Sequence, residues 1–263
     1  MEIKTYKQHY KECLDSYGGL KDLNLYNITI ENNCVEIDLD LLREVTDSVK
    51  DHLQRNHDIC ESKWATYIND FSSIEGIEKF CSSIVDQLEK KYFNSYVKIE
   101  NLHILQNKTH VPLESSWVWH YDDCPREFLK FAIYLNDITV DNGPMQIVKN
   151  KNNIAPIVES YRNHPGAIKG YPPPVFPKSR VPPTFVDSMV SNGGSVESLT
   201  GKAGTNFLFT PNIIHRGTAP KIGCTPRVAI FMFIRPTKKK ISNLTLSAKP
   251  KKANVNVKKY NLD

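Results

Sequence analysis

Apolar residues in the first third of the chain recur at the spacing of an amphipathic helix. In residues 39–53 they fall at Leu39, Leu42, Val45, Val49 and Leu53. In residues 75–90 they fall at Ile77, Phe80, Ile84 and Leu88. Steps of three and four residues place each set along one face of a helix. The pattern predicts a largely helical N-terminal part over about residues 1–95.

The pattern changes after residue 95, where β-branched and aromatic residues gather in short runs separated by turn-forming residues. The best runs are 96–105, 116–120, 128–135, 145–148, 205–210 and 227–235. Many short strands with turn signals between them are typical of a sandwich or jelly roll. We therefore predict a mainly β fold with flanking helices. It forms one domain over residues 1–237, with its β core at about residues 96–237.

A proline-rich stretch, residues 171–183, interrupts the predicted strands. A proline-rich ligand for an SH3-type partner is one interpretation. The stretch lies inside the domain and not at an end, which favours an insertion packed beside the mouth of an active site.

Charge is unevenly placed along the chain. The 263 residues carry a formal net charge of +5, but residues 238–263 hold eight lysines and one acidic residue. The basic excess therefore belongs to this tail. Its lysines are not interleaved with aromatic residues that could stack on bases, so we interpret it as a solvated terminus and do not expect nucleic-acid binding. Contact with an acidic partner or a membrane surface is the alternative.

Hydropathy and cysteine usage narrow the remaining classes. No stretch approaches the roughly 20 apolar residues that span a bilayer, and the start of the chain is too polar for a secretory signal. We therefore expect a cytoplasmic protein without membrane insertion. Its six cysteines form no Cys-x-x-Cys pair, so neither a structural zinc site nor a redox dithiol is indicated.

Three residues form a candidate metal site. His120 and Asp122 end a predicted strand, and an extended backbone places residues two apart on the same side. His215 follows another strand 95 residues later. Two imidazoles and one carboxylate can occupy one face of a six-coordinate ion, leave the other open, and suit iron(II) better than structural zinc. Each residue alone is a weak signal, because an isolated histidine is more often a core or surface residue.

Arg227 opens the apolar run that follows His215. An arginine offers a planar, permanently charged fork that suits a carboxylate. At the start of a strand it is otherwise a surface residue, but an inward side chain would need a partner. A dicarboxylate cosubstrate would supply one.

Three stretches follow one another along the predicted β core. They are residues 119–137 with His120-Tyr121-Asp122, residues 141–148 with Asn142-Gly143-Pro144, and residues 199–228 with His215-Arg216-Gly217-Thr218 and Pro226-Arg227-Val228. In order and separation they resemble the phytanoyl-CoA dioxygenase-like family of iron(II)- and 2-oxoglutarate-dependent oxygenases. The resemblance spans about residues 117–236 and is much more specific than His-x-Asp alone.

The resemblance implies a double-stranded β-helix, which is a cupin-like jelly roll, and implies iron(II), 2-oxoglutarate and O2 as cofactor and cosubstrates. It implies metal ligation by His120, Asp122 and His215, and pairing of the C5 carboxylate of 2-oxoglutarate with Arg227. Tyr134 either hydrogen-bonds this cosubstrate or packs in the core. Related halogenases have a small residue in place of the carboxylate, so the retained Asp122 favours hydroxylation.

The sequence departs from the family pattern in two places. Residues 149–153 stand where the family has Pro-Gly-Ser-His, and Thr210-Pro211-Asn212 replaces the aspartate that is common before the distal histidine. Neither change removes a predicted ligand, but both could reshape the rim of the pocket.

The implied activity is hydroxylation of an unactivated C–H bond in a small molecule, with release of succinate and CO2. Candidate substrate contacts are Trp119, Arg126, Arg162 and Arg216. Arg216 follows a metal ligand and would suit an anionic substrate, although adjacent strand residues point opposite ways and a salt bridge is an equal alternative. We interpret Lys130 as an ion-pair residue and His103 as an ordinary histidine.

Two other functions stay open. A zinc or manganese cupin that performs hydrolysis or isomerisation would use the same triad but give Arg227 no cosubstrate. A catalytically silent jelly-roll binding module would instead recruit a partner through its lysine-rich tail. Neither the identity of the substrate nor the oligomeric state follows from the sequence.

Overall fold

The computed structural model describes residues 6–18, 25–109, 115–158, 176 and 179–240. Within these ranges the helices are α1 (Tyr6–Tyr17), α2 (Leu39–Arg55), α3 (Ile77–Leu88) and α4 (Pro183–Ser191). The strands are β1 (Ile30–Asn32), β2 (Ile59–Glu61), β3 (Ala65–Ile68), β4 (Tyr96–Asn107), β5 (Leu129–Tyr134), β6 (Met145–Lys149), β7 (Ser195–Leu199), β8 (Asn206–Phe209), β9 (His215–Arg216) and β10 (Val228–Thr237).

The two predicted N-terminal helices are α2 and α3. The Asp38 carboxylate caps α2 by accepting hydrogen bonds from the backbone N–H groups of Asp40 and Leu41, which would otherwise lack partners at a helix start. The helix ends at Asn56, whose backbone is left-handed. Helix α3 buries the whole apolar stripe that the sequence predicts, whereas α2 buries its central part at Leu42, Val45 and Val49 and leaves Leu39 exposed.

The strands form two antiparallel sheets. The large sheet has the order β1-β8-β5-β10-β4-β3-β2, and the small sheet has the order β7-β6-β9. At the centre of the large sheet, β10 pairs with β4 on one side and with β5 on the other. The predicted mainly β jelly roll with flanking helices is confirmed.

Alternation along each strand separates two apolar layers. The outward residues of β5 and β10 pack on the helices. Those of β10 are Val228, Ile230, Met232 and Ile234. The inward residue Ala229 packs between the two sheets with Ala132 of β5 and with Ile147 of the small sheet. A third layer, containing Trp119, Tyr121 and Val186 of α4, covers the outer face of the small sheet. Side chains that face the other sheet therefore line the interior.

One predicted strand differs in the structure. Residues Ser115–Trp117 form a 3-10 turn, and only His120 makes bridges, to His215 and to Arg180. The Ser116 carbonyl accepts a hydrogen bond from Gly217 N at 2.7 Å, so this segment contacts the loop after β9 and does not form a longer ladder. The short strands β1, β2, β3 and β7 and the helices α1 and α4 were not predicted.

The C-terminal strand β10 ends at Thr237, where the predicted tail begins. Residues 241–263 of that tail lie outside the described residues, so the division into a domain over 1–237 and a tail over 238–263 stays a prediction. None of the helices in the described ranges combines the length and the apolar character needed to cross a bilayer.

Candidate active site

The three predicted metal ligands lie together on the inner face of the small sheet. The rings of His120 and His215 have centroids 4.3 Å apart. Asp122 Oδ1 is 3.9 Å from His120 Nε2, and Asp122 Oδ2 is 3.5 Å from His215 Nε2. One ligand atom from each residue lies within 4.8 Å of the other two. The structure therefore brings together the three residues that the sequence singles out.

Backbone pairing explains this convergence. His120 N donates to the His215 carbonyl at 3.0 Å, and His215 N donates to the His120 carbonyl at 2.8 Å. Directly opposite residues in an antiparallel pair present their side chains on the same face. Asp122 follows His120 by two residues, and its carboxylate lies on the same face, within 3.9 Å of both imidazole Nε2 atoms.

The loop that carries Asp122 is held by buried polar groups. Asp122 N donates to the Pro211 carbonyl at 2.9 Å. The amide of Asn212 accepts from Cys124 N at 2.8 Å and donates to the Cys124 carbonyl at 2.7 Å. Asn212 lies in the segment that departs from the family pattern, and its fully buried amide fixes the chain just after the metal-site carboxylate.

Each histidine is oriented by a backbone carbonyl. His120 Nδ1 lies 2.9 Å from the Val118 carbonyl, and His215 Nδ1 lies 2.8 Å from the Ile213 carbonyl. A carbonyl can only accept, so Nδ1 carries the proton and Nε2 keeps its lone pair for a metal. Burial lowers the pKa of His120 to about 4, and burial followed by the nearby His120 lowers the pKa of His215. Both rings are therefore neutral near pH 7.

Lys130 of β5 lies beside the ligands. Its ammonium group forms an ion pair with Asp122 Oδ2 and lies 4.4 Å from the ring centroid of Phe233. Burial disfavours the charged carboxylate, but Lys130 and the two histidines outweigh burial and hold the pKa of Asp122 below its ordinary value. The carboxylate is ionised, as a metal ligand must be.

Arg227 lies just before β10, buried on the inner face of the large sheet. Its Nη2 donates to Asn107 Oδ1 at 3.1 Å, while its Nε and Nη1 are buried and have no hydrogen-bond partner among the described residues. The Tyr134 hydroxyl donates to the Leu199 carbonyl at 2.8 Å and lies close enough to the guanidinium to affect its pKa, which burial lowers. Two unmet donors on a buried cation indicate a place for an anionic ligand.

No family model matches the chain. A curated relative, L-proline trans-4-hydroxylase from Streptomyces griseoviridis, is 32% identical over 111 residues. That alignment covers 37% of this chain and 37% of the relative, so this chain matches little more than a third of the relative's length.

Solved structures match over most of the chain. EctD from S. alaskensis, with 2-oxoglutarate and 5-hydroxyectoine, is 16% identical with a TM-score of 0.54 over 80% of this chain and 73% of EctD. The epimerase SnoN, in complex with Fe3+, alpha ketoglutarate and nogalamycin RO, is 12% identical with a TM-score of 0.57 over 87% of this chain and 84% of SnoN. This chain shares their fold. At these identities the likeness establishes architecture alone, and the narrower resemblance to phytanoyl-CoA dioxygenases stays a prediction.

Two of the candidate substrate contacts lie on the other side of the small sheet. The Arg216 guanidinium stacks 4.2 Å from the ring centroid of Trp119, and its Nε donates to Gln146 Oε1 at 2.9 Å. Arg216 and Trp119 each neighbour an inward-facing histidine, and adjacent strand residues point to opposite faces. The structure therefore does not bring these two residues to the metal ligands.

Of the other two candidates, Arg126 is bonded to the N-terminal part of the chain and Arg162 lies outside the described residues. Arg126 is buried and donates to the Tyr26 carbonyl, while the neighbouring Glu127 accepts from the Tyr26 hydroxyl at 2.7 Å. These bonds tie the loop after Asp122 to the N-terminal part of the chain. The substrate roles of all four residues stay predictions.

Two further residues face the interior although the sequence did not single them out for chemistry. His103 of β4 lies opposite Phe231 of β10, and burial followed by the Lys130 charge lowers its pKa to about 4. The alternation of Asn101 and His103 with apolar neighbours could have indicated its inward face. Arg180 pairs with His120, and nothing in the local sequence signals a pairing between segments 60 residues apart.

Proposed function

We propose that this protein is an iron(II)- and 2-oxoglutarate-dependent oxygenase that hydroxylates a C–H bond of a small molecule and releases succinate and CO2. The observation that carries the proposal is the pairing of two sites on one interior. A cluster of two imidazoles and one carboxylate lies near one end, and a buried arginine with unmet donors lies near the other.

The residues of the cluster fit iron(II). Nε2 of His120 and of His215 is free to ligate because Nδ1 is bound to a carbonyl, and Asp122 is ionised. Two histidines and one carboxylate bind one face of the ion and leave positions for other ligands. Cys124, the nearest thiol in the sequence, lies after the carboxylate and donates weakly to the Asp122 carbonyl, so the donor set is nitrogen and oxygen.

The pocket at Arg227 fits the far carboxylate of 2-oxoglutarate. Two buried guanidinium donors without hydrogen bonds are costly, and a carboxylate can accept two parallel hydrogen bonds from them. Asn107 holds the third nitrogen at 3.1 Å and so fixes the direction of the fork. On the inner face between Arg227 and Lys130 lie the small side chains of Ala132 and Ala229.

The chain's own part in the reaction is binding and orientation. When bound, iron(II), 2-oxoglutarate and O2 supply the oxidising power for C–H hydroxylation. Lys130 holds the Asp122 carboxylate in one orientation, and the carbonyls of Val118 and Ile213 do the same for the imidazoles. The apolar layer between the sheets keeps bulk water from the interior.

The comparisons support this choice among the open alternatives. The curated relative is a hydroxylase of L-proline, and two solved structures with this fold contain 2-oxoglutarate or alpha ketoglutarate. A zinc or manganese hydrolase with the same triad would leave the donors of Arg227 unmet. A binding module without catalytic activity would need neither the two neutral imidazoles nor the buried donors of Arg227.

The test is spectroscopic and chemical. Anaerobic addition of iron(II) and 2-oxoglutarate should produce a weak visible charge-transfer band, and admission of O2 should then form succinate. His215→Ala should abolish metal binding, whereas Arg227→Ala should keep the metal but raise the 2-oxoglutarate concentration needed by at least about tenfold, as expected for loss of a charge-assisted pair.

A matched control is Arg55→Ala, since the Arg55 side chain on α2 is 74% exposed. It should leave both the band and succinate formation unchanged. Absence of the band and of succinate in the wild-type protein would refute the proposal. Unimpaired turnover in both site variants would refute the residue assignments.

A further inference from the structure

Arg180 lies in line with two of the metal ligands. His120 is bridged on one side to His215 and on the other to Arg180. The hydrogen bonds that frame the second bridge run from Tyr121 N to the Ser179 carbonyl at 3.2 Å and from Val181 N to the Trp119 carbonyl at 2.8 Å. His120 and Arg180 therefore form a non-hydrogen-bonded pair, in which opposite side chains share a face and lie closest together. The Arg180 side chain faces the interior beside His120.

The backbone at Arg180 is well anchored. The next residue, Val181, is buried in the apolar layer outside the small sheet, together with Trp119 and Val186. Helix α4 begins two residues later, at Pro183. A side chain that starts from a fixed backbone loses less entropy when it binds a ligand. The position of Arg180 is therefore set before any ligand arrives.

The guanidinium of Arg180 is half-buried, and among the described residues none gives it a hydrogen bond or an ion pair. Burial lowers its pKa, and the Asp122 carboxylate opposes this shift, although Lys130 already contacts that carboxylate. The face around the ligands thus holds more positive charge than Asp122 can match, and a partly desolvated cation is left for an anion.

We propose that Arg180 binds a carboxylate of the substrate and thereby holds the substrate beside the metal ligands. This inference rests on the proposed function and names the substrate class for it. A guanidinium matches a carboxylate in shape and keeps its charge at any physiological pH. Arg227 is assigned to the cosubstrate and lies near the other end of β10, so Arg180 is left for a second anion. L-Proline, the substrate of the curated relative, carries a carboxylate.

The experiment measures binding of a simple carboxylate and needs no knowledge of the true substrate. The full chain is loaded with Zn2+, which is redox-inert, and with saturating 2-oxoglutarate to occupy Arg227. Trifluoroacetate is then titrated while its 19F NMR signal is followed. The wild type should show a saturable shift, and Arg180→Gln should weaken the affinity by at least about tenfold, because a charged pair is lost. Arg180→Lys should fall between the two, since it keeps the charge but not the fork.

The matched control is Arg55→Gln, an exposed arginine on α2, which should bind trifluoroacetate like the wild type. Zn2+ affinity and circular dichroism show whether Arg180→Gln has kept its metal site and its fold. The proposal is overturned if the wild type shows no saturable shift, or if Arg180→Gln binds as tightly as the wild type. Failure of the proposed function has a different signature, because it removes the iron band and succinate formation in the wild type, whatever trifluoroacetate does.

Discussion

Single residues on the two faces of β10 experience opposite environments. The outward positions Val228, Ile230 and Met232 are all apolar and buried. The inner face of the large sheet instead carries Arg227 at the start of the strand and, from neighbouring strands, Lys130 and other polar groups. Burying such groups costs free energy unless they are paired. The proposed binding of ligands would account for Arg227 and Lys130 on this face, because they add little stability by themselves.

His103 gives a prediction at this scale. Its pKa in the folded protein is about 4, whereas an unfolded histidine has a pKa of about 6.5. As the pH falls through 6.5, the unfolded chain takes up a proton that the folded chain does not, so the free energy of unfolding falls. Between pH 7 and pH 5.5 the free energy of unfolding should fall in both proteins. The fall should be smaller in His103→Gln than in the wild type, by up to about 1 kcal/mol. Urea unfolding at the two pH values measures this difference.

The matched control is His57→Gln, because the His57 side chain is 61% exposed. Its loss of stability between the two pH values should equal that of the wild type. The other buried histidines lower the free energy of unfolding at pH 5.5 by the same amount in every variant, so they cancel in the comparison. Equal losses in His103→Gln and in the wild type would therefore contradict the burial argument for His103.

The sequence predicted the residues of the site unevenly. His120, Asp122, His215 and Arg227 were found because strand endings and the family-like motifs place them at marked positions. Arg180 could not be found this way, since its proposed role depends on pairing with a segment 60 residues away. Arg216 lies on the opposite face of the small sheet from its neighbour His215, because adjacent strand residues point to opposite faces.

At the scale of elements, the turn before β6 supports the Arg227 pocket. Gly143 has φ of +78°, and a Cβ there would lie 2.5 Å from the Thr218 carbonyl oxygen and 2.9 Å from Pro220 N. The Gly143 carbonyl accepts from Asn107 Nδ2 at 3.0 Å, and Asn107 in turn orients Arg227. The turn at Gly143 therefore positions Asn107 at the end of β4, and Asn107 positions the guanidinium of Arg227.

Gly143→Ala should therefore both destabilise the fold and weaken 2-oxoglutarate binding. Left-handed backbone costs a non-glycine residue about 1–2 kcal/mol, and the clash with backbone atoms adds about 1–3 kcal/mol. Denaturant unfolding measures the first effect, and a 2-oxoglutarate titration of the metal-loaded protein measures the second.

Gly223→Ala is the matched control, because Gly223 has φ of +82° but open space around it. It should show the backbone strain without the clash and leave the affinity for 2-oxoglutarate unchanged. If the free energy of unfolding falls equally in both variants, the contact of the turn with Thr218 does not contribute to the loss.

Most elements that the sequence predicted have long or strongly periodic patterns, whereas the short strands β6 and β8 were predicted from brief apolar runs. Helices α2 and α3 and strands β4, β5 and β10 carry enough apolar residues to show their period. Strands β1, β2 and β3 have three or four residues each, too few for a period to emerge. They form because neighbouring strands offer backbone partners, which a local pattern does not reveal.

At the scale of the whole molecule, the two ligand sites should contribute to stability. A ligand that binds only the folded state adds about 2.7 kcal/mol at one hundred times its Kd. For a chain of this size each kcal/mol raises the melting temperature by about 2–4 °C. We therefore expect Zn2+ and 2-oxoglutarate, each at one hundred times its Kd, to raise the Tm by roughly 5–10 °C apiece, and a chelator to reverse the rise from Zn2+.

The variants separate the two contributions. Arg227→Ala should keep the rise from Zn2+ and lose the further rise from 2-oxoglutarate, whereas His215→Ala should lose both. Differential scanning calorimetry with each ligand alone and together provides the measurement. A 2-oxoglutarate rise that persists in Arg227→Ala would place that ligand elsewhere in the molecule.

The two-residue alternation of the central strands has a consequence for how this protein can change. Along β10, neighbouring positions serve different purposes, since Ile230 and Met232 hold the sheet to its helices while Ala229 and Phe231 face the interior. Mutations at every second position can therefore alter what the cavity accepts while the scaffold is spared. A directed-evolution library confined to residues 229, 231 and 233 should retain far more folded members than one shifted by a single residue.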